Sequence, residues 1–212
     1  MSTILVIGAT GQIGQKVCRT LLSQGYTVRA FVRDSQRASE LSHAQLQVFQ
    51  GNLEEDFSAA YEGVNKVVFV AGSGSGTGCD KTLLIDLWAA KRAIDYAEEE
   101  PTVSHFIMLS AFGADDPDEH NTAIKPYLVA KHIVDEYLTL SSLPYTILRP
   151  GKLTNEAPRH GFTAERPLHN AGTSITRADV AEAICYCVTH DTSKIKVVEL
   201  FQGQEPLESL IN

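Results

Sequence analysis

Tyr127 and Lys131 stand four residues apart, so a helix through them sets a phenol and an ammonium on one face. A phenol whose ordinary pKa is about 10 transfers protons poorly at neutral pH, and a nearby ammonium favours its anion. The two residues are therefore a candidate proton-transfer couple. The plainer reading keeps Tyr127 as a helix-face aromatic packed for its bulk, because a chain with seven tyrosines readily contains one Tyr-x-x-x-Lys spacing by chance.

A second group is the run Gly8-Ala9-Thr10-Gly11-Gln12-Ile13-Gly14, which follows the apolar Ile4–Ile7 directly and opens a segment of helical period from Gln12 to about Gln24. Backbone amides at such a helix start point at an anion, the dipole favours negative charge, and glycine lets a diphosphate approach closely. The spacing G-x-x-G-x-x-G is one residue off the commonest dinucleotide pattern; its place after a strand makes it a binding motif. The end of the second apolar run then selects the cofactor. An acidic residue there would hold a ribose 2′-hydroxyl, whereas Arg favours a 2′-phosphate. Arg33 ends Val28–Val32 and Arg37 follows one turn later, which favours NADP over NAD. Asp34 competes, either taking the hydroxyl itself or capping the next helix.

Other reactive side chains do not gather in sequence. The histidines form no H-x-x-x-H or H-E-x-x-H, and Cys18, Cys79, Cys185 and Cys187 include no C-x-x-C, so no metal site is expected. His132 reads as a solvated helix residue, while His160 and His169 lie in a loop-rich stretch where they would touch substrate. A formal net charge of -8 disfavours nucleic acid as a partner. The N-terminal apolar run has no basic flank or cleavage site, and no run reaches the roughly 20 residues that span a bilayer, so a reducing cytoplasm with no membrane partner is expected.

These groups need a scaffold. Ile4–Ile7, Thr27–Val32, Leu46–Phe49, Lys66–Val70, His105–Leu109, Tyr145–Leu148 and Lys196–Phe201 read as strands alternating with helices. The clearest helix is Lys81–Glu100, with Leu83, Leu87, Ala90, Ile94 and Ala97 as one apolar stripe. The pattern predicts an α/β fold, a doubly wound parallel sheet in one Rossmann domain over 1–212, with 151–175 as an irregular insertion on the substrate side. The Gly72–Gly78 loop, rich in glycine and serine, reads as a cleft lining or a plain flexible loop. The acidic run Ala114–Glu119 reads as a solvated loop or a lid.

Laid out in order, these features resemble the atypical short-chain dehydrogenase/reductase superfamily, similar to NAD-dependent epimerase/dehydratase-like and NmrA-like members. The resemblance rests on the glycine loop, Gly51-Asn52-Leu53, Leu109-Ser110-Ala111, Tyr127-x-x-x-Lys131, Leu148-Arg149-Pro150-Gly151 and Thr176-Arg177-Ala178-Asp179-Val180-Ala181. It implies Tyr127 as general acid/base of a hydride transfer, and Lys131 as a ribose ligand that lowers the Tyr127 pKa. It further implies Gly8, Thr10, Gly11, Gln12, Ile13 and Gly14 at the pyrophosphate, Asn52 and Leu53 beside adenine, and Ala71 and Gly72 under the pyrophosphate and ribose. Pro150, Gly151 and Leu153 would meet the nicotinamide. The pattern departs from the family at Ala111, which stands where a second serine is usual after Ser110, and at Lys152 in place of a small residue. Asp86 stands where a helix Asn serves a proton relay; it is either a relay residue or a solvated helix residue. Thr176 and Asp179 also fit a capping box.

The resemblance implies an NADP(H)-dependent oxidoreductase passing hydride between NADPH and a small-molecule carbonyl-type or conjugated acceptor, as a monomer or homodimer. Two alternatives stay open: a non-catalytic NADP(H) sensor that regulates a protein partner, favoured by Ala111, and a flavin or tetrapyrrole reductase that needs no dedicated proton donor.

Overall fold

Every residue from Ile4 to Ile7 is buried, with Ile4 and Val6 in one apolar cluster and Leu5 and Ile7 in another. Because side chains alternate across a strand, this pattern requires packing on both faces of the sheet. A computed structural model supplies that arrangement, describing residues 2–74, 76–119, 123–166, 173–190 and 195–211, without the Ile195 side chain.

Strand β1 (Thr3–Ile7) leads through the glycine loop into helix α1 (Gln12–Ser23), and β2 (Thr27–Val32), β3 (Leu46–Gln50) and β4 (Lys66–Phe69) follow. The next helical stretch has three parts: α2 (Cys79–Lys81), a π-helical segment (Thr82–Ala89) and α3 (Ala90–Glu99). Then come β5 (His105–Leu109), α4 (Lys125–Thr139), β6 (Tyr145–Pro150), β7 (Lys152–Thr154), β8 (Phe162–Thr163), β9 (Ser174–Thr176), α5 (Arg177–Thr189), β10 (Ile195–Gln202) and α6 (Leu207–Ile211). The sheet order is β3-β2-β1-β4-β5-β6-β10-β8, parallel throughout except for the antiparallel β10–β8 pair. Helices α1 and α5 cover one face through Val17, Leu21, Ile184 and Val188, and α3 and α4 cover the other through Ala93, Ile94, Val134 and Leu138. This is the doubly wound, Rossmann-like architecture expected from the alternating pattern.

Chain order reverses between β1 and β4, and the loops leaving those strands meet there. Gly8 has φ +94°, and a Cβ on it would stand 2.6 Å from the Ala71 amide nitrogen. A Cβ on Gly14 would stand 2.1 Å from the Gly8 carbonyl oxygen, so the first turn of α1 closes on the loop only with glycine in that place.

Two expectations need correction. The apolar stripe of the long helix holds from Ala90 onward, but Leu83 is 57% exposed while Asp86 is fully buried. The π-helical segment explains the exposure of Leu83, since i→i+5 hydrogen bonding adds a residue per turn and carries it off the face that α spacing would bury, while Asp86, four residues before Ala90, stays on that face. The stretch after Gly151 is less irregular than expected: β7 and β9 form a parallel two-stranded sheet, and β8 pairs with β10. Pro167 and His169 lie outside the described residues.

Candidate functional site

The loops at the chain reversal wall two adjoining clefts that share Gly11, Ala71 and Gly72. The first, about 340 Å³, is lined by Gly8, Thr10, Arg33, Arg37, Asn52 and Leu53 among others. Its base is the start of α1, where Gly11 takes the N-cap position in an extended conformation without any side-chain cap, and no acidic residue occupies the first turn. The amides there are thus left for an external acceptor. Asp34 is absent from this lining; its carboxylate accepts from the Gln36 amide at 2.9 Å as the N-cap of the 3-10 turn Ser35–Leu41. Among the charged residues weighed for the ribose, the arginines face the cleft and Asp34 serves as a cap.

The second cleft, about 610 Å³, brings together Gln12, Ile13, Gly14, Asp86, Ser110, Tyr127, Lys131 and Leu153. Helix α4 presents Tyr127 and Lys131 along one face, with Lys131 Nζ 5.6 Å from the Tyr127 ring centroid. Lys131 is buried, donates to the Leu109 carbonyl at 3.2 Å, and lies 3.9 Å from Asp86 Oδ1. Asp86 is held by the Ser73 amide, which donates to Oδ2 at 3.1 Å, while Oδ1 is buried without a hydrogen-bond partner. Of the two readings for Asp86, a solvated helix residue is the one its burial removes.

Desolvation pushes the Tyr127 phenol above its ordinary range. Lys131 pulls the other way, and Asp86 and Asp135 add to the rise. The net direction is opposite to the lowering expected from Lys131 alone. A phenol so placed keeps its proton through neutral pH and suits an acid better than a base.

Ser110 also lines the cleft, but its hydroxyl donates to Asp135 Oδ2 at 2.8 Å. Arg149 Nε donates to the same oxygen at 2.9 Å. Burial pushes the Asp135 carboxyl up against the opposing pull of Arg149. With its proton directed to Asp135, Ser110 offers the cleft lone pairs and not a donor. Sequence reading missed Asp135, although it continues the four-residue spacing of Tyr127 and Lys131 along α4. It also missed Arg177, which lines the second cleft and whose motif was read as a helix start. That start is real: Thr176 accepts from the Asp179 amide and donates to its carboxylate.

Pro150 and Gly151 line neither cleft. Pro150 is buried at the end of β6, and Gly151 packs so closely that a Cβ would meet the Thr173 carbonyl oxygen at 1.7 Å. His160 also misses both clefts; its Nδ1 lies 2.6 Å from Glu182, which raises its pKa. His132 is not simply solvated, since its Nδ1 lies 2.7 Å from the Ala114 carbonyl. The acidic run after Ala114 is tied down by Arg166 on Asp115 and by Lys125 on Asp118 at 2.6 Å, contacts that hold it in place. Among the described residues, His160, Asp179 and Glu182 offer atoms within 4.8 Å of one another, but the Asp179 oxygens already accept from Arg159, His160 and Thr176.

Residues 8–191 match the family described as NAD(P)H-binding. The chain belongs to this NAD(P)H-binding family. The chain is similar to the uncharacterized sugar epimerase YhfK of Bacillus subtilis, 37% identical over 208 residues that cover 96% of each chain. Among solved structures, a putative NAD-dependent epimerase/dehydratase from Bacillus halodurans superposes with a TM-score of 0.91 at 39% identity, covering 99% of this chain and 98% of that one. The oxidoreductase ylbE from Lactococcus lactis follows with a TM-score of 0.85 at 26% identity, over 98% and 94% of the two chains. These matches agree with the resemblance to atypical short-chain dehydrogenases/reductases. Among the described residues, no helix is long and apolar enough to cross a membrane.

Proposed function

We propose that the protein is an NADP(H)-dependent reductase acting on a small-molecule carbonyl-type or conjugated acceptor, with Tyr127 as its general acid. The observation that carries this reading is the meeting of Tyr127, Lys131 and Asp86 in a cleft that also opens onto the uncapped start of α1. The loop fits a dinucleotide because its glycines bring the backbone to a packing limit that any Cβ at Gly8 or Gly14 would breach. The buried Oδ1 of Asp86, which has no hydrogen-bond partner, fits as well, since Asp86 lines the same cleft 3.9 Å from Lys131.

In this reading the amides of Gln12, Ile13 and Gly14 hold the diphosphate, and Arg33 and Arg37 hold a 2′-phosphate. The nicotinamide, when bound, supplies hydride chemistry. Tyr127 donates a proton to the acceptor; its raised pKa keeps that proton in place through neutral pH but makes the phenol a weaker acid, so release leans on Lys131. Lys131, fixed by the Leu109 carbonyl and Asp86, keeps a positive charge beside the phenol and stabilises the phenolate that donation leaves. Ser110 acts as an acceptor that orients a hydroxyl or the product, because Asp135 takes its proton. Thus Tyr127 stands without a serine donor to share polarisation of a carbonyl, which is consistent with Ala111 at the usual second serine.

Calorimetric titration with NADPH and NADH, followed by NADPH oxidation over a panel of aldehydes, ketones and conjugated acceptors, tests the proposal. Tighter binding of NADPH and acceptor-dependent oxidation are expected. Binding with no turnover of any acceptor, together with a partner interaction that responds to the NADPH/NADP⁺ ratio, would replace the enzyme with the sensor reading.

A further inference from the structure

Resting on the reductase reading, we propose that Arg177 selects substrates that carry a carboxylate, by pairing with that group in the reaction cleft. Arg177 is the first residue of α5 and lines the same cleft as Tyr127 and Lys131. Its Nη1 donates to the Leu153 carbonyl at 3.3 Å and to Asn155 Oδ1 at 2.9 Å, which fixes the guanidinium plane against β7. Among the described residues no carboxylate pairs with it, and Nε and Nη2 make no hydrogen bond to them. That edge of the guanidinium carries the parallel N–H bonds that match the two oxygens of a carboxylate.

The charges lining the cleft give the same direction. Among the described residues that line it, Asp86 is the one carboxylate, and it lies 3.9 Å from Lys131, so these two largely offset each other. Arg177 is the cation left over, in a chain whose formal net charge is -8. Its position also runs against local preference, since the first turn of a helix favours anions over cations. A residue that breaks a local rule while facing a cleft is a candidate for a ligand contact. Ile124, Pro126 and Leu153 supply apolar wall to the same cleft. The inferred substrate class is a molecule with an apolar or aromatic body, a reducible carbonyl or conjugated bond near Tyr127, and a carboxylate reaching Arg177.

The test uses the whole chain saturated with NADP⁺, which permits binding without turnover, and two probes: 4-formylbenzoate and its neutral methyl ester. Saturation-transfer NMR gives the affinity of each, and NADP⁺ affinity is measured in parallel for every variant. The carboxylate probe is expected to bind about tenfold or more tightly than the ester, the scale of a charge-assisted hydrogen bond. Arg177→Gln should abolish that preference and leave the ester and NADP⁺ affinities unchanged. Arg177→Lys should keep part of it, and Asn155→Ala, which removes an anchor but keeps the charge, should retain it. With NADP⁺ bound, equal affinity for the two probes, or binding of neither, overturns the assignment of Arg177 while leaving the reductase reading intact. A fall in NADP⁺ affinity in Arg177→Gln also overturns it, placing the guanidinium on the cofactor diphosphate. Failure of the wild type to bind NADP⁺ at millimolar concentration refutes the nucleotide reading itself.

Discussion

The two adjoining clefts are built from different materials. The one at the glycine loop joins the backbone of Gly8, Gly11 and Gly72 to charges near water, exposed Arg33 and Arg37 and the Lys81–Glu54 pair. The one at α4 is walled by the buried ionisable side chains Asp86 and Lys131 beside a half-buried Tyr127, with Asp135 behind Ser110. Backbone amides do not titrate and need only close approach, so the first cleft depends on glycine geometry. Buried charges cost several kcal/mol each unless paired, so the second depends on mutual compensation. The difference teaches that binding and chemistry in this chain should fail separately.

Tyr127→Phe breaks the comparison most sharply: turnover should fall about 10²–10⁴-fold with NADPH affinity unchanged, because only the proton donor is lost. Equal rates in the two proteins would remove Tyr127 from the chemistry. Lys131→Met strands Asp86 without its counter-charge and should cost about 3–5 kcal/mol in a denaturant titration, with Asp86→Asn in the same chain recovering part of the loss. At the other cleft, Gly14→Ala forces a methyl group onto the Gly8 carbonyl and should cost about 1–3 kcal/mol of stability along with NADPH affinity. Gly11→Ala, whose Cβ would sit 3.3 Å from the same oxygen, should be much milder. Arg33→Ala should reduce the preference for NADPH over NADH by about tenfold, a modest effect because the side chain is exposed to screening.

The pH profile sharpens the same contrast. Since the folded Tyr127 pKa lies above its ordinary value, the donating form is complete below the ordinary phenol range and is lost as pH rises through the raised value. Turnover should therefore hold level from neutral pH into the range near 10 and then decline, whereas a phenol lowered by Lys131 would lose donation from a lower pH.

Legibility in the sequence follows the same division. The sheet was readable because strands buried on both faces are continuous apolar runs, as in Ile4–Ile7, and the glycine loop was readable because its function resides in backbone spacing. Tyr127 and Lys131 were readable as neighbours along one helix. Asp135 extends that row but drew no notice, since its partners Ser110 and Arg149 come from strand ends distant in sequence. Spacing alone puts Asp86 on the buried face, four residues before Ala90, but a carboxylate on an apolar stripe reads as solvated; what the winding hides is Leu83, which π-helical turns carry off that face. Pro150 and Gly151 are expected at the nicotinamide from a strand-end motif; they line neither cleft, and Gly151 packs closely on Thr173. Arg177 stood beside a capping box strong enough to account for the motif alone.

A π-helical stretch carries about one residue more than an α-helix needs over the same turn, so Thr82–Ala89 can lose one without turning what flanks it. With one residue removed between Thr82 and Asp86 and ordinary winding restored, Asp86 would still stand four residues before Ala90, and Leu83 would stand six before it, off the apolar face. The carboxylate would keep its lysine, and the helix would bear the kind of length change usually confined to loops.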